Sequence, residues 1–229
     1  MLRTPITLTA AALAAALALS ACGTVRLGAA AVTNTSRIPT ATVTAEVNNL
    51  DAAYKADKAK VQLQFPASQM PQEVLSWLLR FRVREKMAQR NHLVITRSQA
   101  QQALASAAAQ AKQSGVTLTE LAVANGVPPD QLPELGRYVA IQNQLLARLD
   151  GGKLPTASAD LQALGKQFDT SQCRAAKSMG IQVNPQFGQL DYSQVSVVAK
   201  PNKLAAAPGT ASPSPSASAT SSPQLTPAC

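Results

Sequence analysis

Apolar positions along this chain recur mostly at helical spacing. Between Thr40 and Val61, the residues Val43, Val47, Leu50 and Tyr54 repeat every three or four positions and mark one face of an amphipathic helix. Pro71 opens the next segment, since proline suits a first helical turn, and the pattern runs to about Asn91. There Val74, Leu78 and Phe81 share one face while Leu79, Val83 and Met87 share another, as expected of a helix buried between partners. Thr96 followed by Gln99 fits a capping box before an Ala- and Gln-rich helix that stops at Gly115. Thr117 and Glu120 form a second box, opening a short helix that ends at Asn125-Gly126. Pro128-Pro129-Asp130 leads into a long helix to Leu149, striped by Leu132, Leu135, Val139 and Leu146, and a last helix is expected from about Ser158 to Met179. Strand signals are few: Ala30 to Asn34 paired with Arg37-Ile38, then pieces near Val183 and Val195 to Val198.

The two ends read differently. Met1-Leu2-Arg3 precedes an apolar run from Ile6 to Leu19, which is short for a membrane span and fits a signal-peptide core. It closes in Leu19-Ser20-Ala21-Cys22-Gly23, which looks like a bacterial lipobox, with the Cys22 thiol as the nucleophile that takes the lipid. Residues 1–21 are therefore expected to be a signal peptide and 22–28 a lipid-anchor linker. The expected location is the extracytoplasmic side of a cell membrane, with two or more acyl chains needed for a stable anchor. From Ala205 to Cys229 the chain is rich in Ser, Thr, Pro and Ala and carries no charge. That composition cannot bury enough apolar surface to offset its ordering entropy, so 201–229 is expected to be a disordered tail. The folded body is expected within residues 29–200.

Composition sharpens this picture. Aromatic residues make up only 3% of the chain, which favours packed helices over an aromatic-rich sandwich. The expected class is mainly α with a small β-hairpin. Lys and Arg outnumber Asp and Glu by 21 to 12. Export would set that excess beside lipid headgroups, wall polymers or acidic client segments, with no nucleic acid in reach.

A search for catalytic chemistry finds little. No phosphate-cradling loop, nucleophile elbow or His/Cys ligand spacing occurs, so neither metal, cofactor nor catalytic residue is expected. The single histidine, His92, reads as a solvated helix-terminal residue. Glu85, set among Arg80, Arg82, Arg84, Lys86 and Arg90, reads as the centre of a surface ion-pair network. Cys173 and Cys229 could pair in an oxidising compartment, although closing so long a tail opposes it.

The order of motifs resembles the SurA-type periplasmic chaperone family. Gly28 to Val32, then Arg37-Ile38 and an amphipathic helix, resembles the start of that domain. Val74-Leu75-Ser76-Trp77-Leu78-Leu79, Met87-Ala88 and Leu93-Val94-Ile95-Thr96 are similar to its central helix and exit. Ser114 to Leu121 with Gly126-Val127 resembles its paired short helices, followed by the long helix from Leu132 to Leu149. Val183-Asn184-Pro185-Gln186-Phe187-Gly188 is similar to the Val-Asn-Pro-Arg-Tyr-Gly ending of lipoprotein relatives, with Gln186 in place of the arginine. The resemblance covers about residues 28 to 190. It implies a SurA N-terminal-like helical fold over 29–200. Many relatives also carry a parvulin-type isomerase after the long helix, but here only residues 150–182 fill that interval, too few for a domain of about 50 residues or more.

Two functional expectations follow from the resemblance. The first is a membrane-tethered holdase for unfolded or newly exported polypeptides, gripping clients in a groove lined by Trp77, Leu78 and Phe81. The alternative is an adaptor or structural envelope lipoprotein that keeps the fold and holds no client. A weaker third option is a wall-polymer binder that uses the basic charge and would lose affinity steeply with salt.

Overall fold

The structure, a computed structural model, describes residues 28–152, 158–200 and 229, and leaves out the side chains of 158–161. The expected signal peptide, Cys22 and its linker, and the tail up to residue 228 lie outside the described residues, Gly28 excepted.

The described chain is mainly helical, with small antiparallel sheets. Strand β1 (Ala29–Val32) turns back into β2 (Arg37–Pro39), in the pairing expected from the sequence. The turn is held by Thr33, whose backbone N–H donates to Ser36 O at 2.7 Å while its hydroxyl oxygen accepts from Ser36 N at 3.0 Å. Helix α1 (Thr40–Ala56) follows directly. It is shorter than the pattern to Val61 suggests, because the carbonyl of Asp57 accepts from the N–H groups of Lys60 and Val61 and turns the chain there. Val43 and Leu50 are buried, with Val47 and Tyr54 packed beside them.

Helix α2 (Met70–Arg90) is the centre of the molecule. Val74, Leu75, Leu79, Val83 and Met87 are all buried in the main core. Its other side carries Phe81 and the half-buried Trp77 into a second, smaller cluster with Ala122 and Val127. The sequence expectation of two buried faces therefore holds, with a different partition: Leu78 packs on the main core and Phe81 on the smaller one.

Helices α3 (Arg97–Gln113) and α4 (Leu118–Ala124) both begin at capping boxes. Gln99 N donates to Thr96 Oγ1 at 3.2 Å and Thr96 N donates to Gln99 Oε1 at 2.8 Å, and Thr117 and Glu120 repeat the exchange. Each box satisfies donors that the first turn would otherwise leave bare. Helix α5 (Leu132–Leu149) lies close along α3. The approach depends on Gly136: a Cβ there would sit 2.7 Å from Ala100 O and 3.1 Å from Leu104 Cβ.

Helix α6 (Ser158–Ser178) packs on α2 and α5 and delivers the chain to β3 (Gln182–Val183), which joins β1 to complete a sheet of order β2-β1-β3. Asn184 extends that join, donating from its backbone to Ala30 O at 2.8 Å and from its side chain to Ala29 O at 3.1 Å. A hairpin of β4 (Gln189–Asp191) and β5 (Ser196–Val198) closes the fold on α2, where Val197 N donates to the buried Ser76 Oγ at 2.8 Å. The hairpin requires glycine at 188, which has φ +124 and would place a Cβ 2.2 Å from Val198 O. Cys173 on α6 is joined to Cys229 by a disulfide, against the expectation drawn from closure entropy.

Candidate functional site

Trp77, Arg80, Phe81 and Arg84 fall on one side of α2 at spacings of three and four. Across from them, α5 supplies Tyr138 and α6 supplies Phe168 and Gln172. The rings of Trp77, Phe81 and Tyr138 form a triangle, with centroids 5.7 Å, 5.7 Å and 5.9 Å apart. The Trp77 indole N–H donates to Asn125 O at 2.7 Å, which fixes the ring against the end of α4. Arg80 lies over the Trp77 ring at 5.0 Å.

Arg84 is the unusual member. It is only 2% exposed, and its guanidinium carbon stands 4.1 Å from the Tyr138 ring centroid and 4.3 Å from that of Phe168. Its Nη2 donates to Tyr138 Oη at 2.5 Å and to Gln172 Oε1 at 3.0 Å. Among the described residues, Nε and Nη1 have no acceptor. Desolvation pulls this guanidinium below its usual value, opposed by the Tyr138 hydroxyl and the nearby Asp169 carboxylate. Beside it lies a cleft of about 450 Å³ whose walls include Trp77, Arg80, Arg84, Tyr138 and Phe168.

The residues singled out in the sequence are thus not brought together as one groove. Trp77 is at the cleft. Phe81, at 8% exposure, is packing for the aromatic triangle, and Leu78 faces the main core. The signal that could have revealed the site was Arg84 itself, a cation seven residues after Trp77 and three after Phe81 on an otherwise buried face. Tyr138 and Phe168 come from helices that periodicity alone cannot bring alongside.

A second concavity of about 610 Å³ runs between α3 and α5. Its apolar floor is Ala100, Leu104 and Pro133, flanked by Arg97, Glu134 and Arg137. Glu85 pairs here with Arg137, which also donates to Ile95 O at 3.0 Å. That replaces the surface network expected around Glu85: its partner lies on α5, because the neighbouring arginines are turned to other tasks. Arg82 donates to Ser36 Oγ and Arg84 is buried as described. The ion pair holds the Arg137 guanidinium above its usual value.

A third feature is acidic. Glu46 on α1 is buried, its Oε1 accepts from Gln131 Nε2 at 2.7 Å, and the Asp130 side chain stands beside the carboxyl. Burial first, and then the adjoining Asp130, push this carboxyl up to about 7. His92 is exposed at the end of α2, with φ +51. Among the described residues, no group of three or more His, Cys, Asp or Glu side chains is placed to hold a metal ion. No described helix is long and apolar enough to cross a membrane.

Comparison of the chain with protein-family models, with curated proteins and with solved structures gives no match.

Proposed function

We propose that this chain is a lipid-anchored, extracytoplasmic holdase of the SurA type, which binds unfolded or newly exported polypeptides without catalysis. The lipobox at Cys22 supports the anchor, and the disulfide at Cys173 suits an oxidising compartment. The order of β-hairpin, long central helix, paired shorter helices and closing turn at Asn184 supports the family reading. The observation that carries client binding is the groove between α3 and α5. Its floor is apolar and its flanks carry Arg97 and Arg137, so an extended client can bury side chains there while its polar groups stay wet. Exposed apolar residues elsewhere, Val94 at 82% among them, add further contact points.

Leu104 tests the groove. A fluorescently labelled, permanently unfolded polypeptide should bind the Leu104→Gln variant roughly tenfold more weakly than the unaltered chain, read by anisotropy. Circular dichroism would verify that the variant keeps its helices. Unchanged binding to a folded variant would remove the groove from the client path. The adaptor reading gains from one observation: Leu78 and Phe81 are occupied with internal packing. It expects no binding of the unfolded polypeptide by either version.

A further inference from the structure

Arg84 is a buried cation with an incomplete set of partners. Among the described residues no carboxylate forms an ion pair with it, and Nη2 alone is engaged, by Tyr138 and Gln172. An arginine cannot escape this by losing its proton, as a buried lysine can. Asp169 stabilises the charge without contacting it, yet a cation with no contacting counter-ion in low dielectric is disfavoured, and so are the N–H groups of Nε and Nη1 left without acceptors. Tyr138 and Phe168 offer their ring faces to the guanidinium, which softens that penalty without supplying an acceptor. Arg84 is also one of the residues that line an open cleft of about 450 Å³.

The rest of the cleft narrows what fits. Arg80 adds one positive charge and Asp169 one negative, so with Arg84 the lining carries a single net positive charge. That balance suits a monoanion better than a doubly charged phosphate. Guanidinium matches the planar carboxylate in shape and donor spacing. Trp77, Leu146 and Phe168 give an apolar wall beside the charge, and Gln142 and Gln194 supply neutral hydrogen-bonding groups.

We propose that the cleft between α2, α5 and α6 binds a monocarboxylate bearing an apolar side group, with the carboxylate completing the partners of Arg84. The ligand is either a free organic acid or the C-terminal carboxylate of a peptide with an apolar last residue. The proposal does not depend on client holding, because the cleft is separate from the groove between α3 and α5.

Trp77 is the only tryptophan and stands in the cleft, so its emission reports occupancy directly. The full-length chain in detergent micelles would be titrated with N-acetyl-leucine and with the isosteric N-acetyl-leucinamide. A parallel pair would be an acetylated alanine tripeptide extended by leucine, as free acid and as amide. At least one acid should shift the emission saturably, with its amide roughly 30-fold or more weaker, since the amide leaves the buried charge unpaired. Saturation by N-acetyl-leucine assigns the site to free acids; saturation by the peptide acid alone assigns it to chain ends. In Arg84→Gln the difference between acid and amide should vanish. Should that variant fail to fold, the acid–amide comparison in the unaltered chain decides by itself. The proposal is overturned if neither acid binds, or if acids and amides titrate alike.

Discussion

Glu46 shows what a single buried carboxyl does to a fold of this kind. Its pKa in the folded chain lies at about 7 against an ordinary 4.5, because burial disfavours its charge and Asp130 both accepts a hydrogen bond from the protonated carboxyl and repels the ionised one. The folded state therefore holds this proton more tightly than the unfolded state. The stability it contributes is present below about pH 4.5 and is lost as the pH rises through 7. Between pH 5 and pH 8 the melting temperature should fall, and Glu46→Gln, which keeps the contact with Gln131 and removes the charge, should flatten that fall. Parallel slopes for the two proteins would show that another group governs the interval. Glu120 acts in a different window: the Thr117 backbone N–H and hydroxyl hold its carboxyl below the usual range, so its contribution fades only in acid. The capping pair of Thr117 and Glu120 is legible in sequence because it is a matter of spacing. The burial of Glu46 is not, because it depends on where Gln131 and Asp130 come to rest.

At the scale of elements, the helices could be read from their apolar stripes and caps, and both capping boxes form as expected. The joins between elements could not. The β4–β5 hairpin rests on a bond from Val197 N to a serine more than a hundred residues earlier, and nothing local announces it. The contact between α3 and α5 likewise depends on a glycine that looks like a weak point inside a helix. Gly136→Ala removes a residue of poor helix propensity yet should lower stability by about 1–3 kcal/mol, because the new methyl group meets Ala100 O. Denaturant melts would measure it. A gain in stability would mean that the two helices separate at little cost. The Arg84 cleft belongs to this scale as well, since its walls come from three helices and the turn at Gln194, segments that lie far apart in sequence.

For the whole molecule, the helical body corresponds to the segment that lies in sequence between an apolar N-terminal run and an uncharged C-terminal stretch. The pairing of Cys173 with Cys229 adds a covalent link between that body and the far end of the chain, which closure entropy alone argues against. The proposed holdase and the proposed carboxylate site occupy different concavities, so one can fail while the other stands. Client holding is the central claim, and suppression of aggregation tests it most directly. The chain from Gly23 onward would be added to a chemically denatured protein diluted into buffer, with light scattering as the readout. The account predicts that scattering falls in proportion to the chain added and that the effect survives high salt, since apolar burial drives it. Unchanged scattering from a chain whose circular dichroism shows intact helices would contradict it.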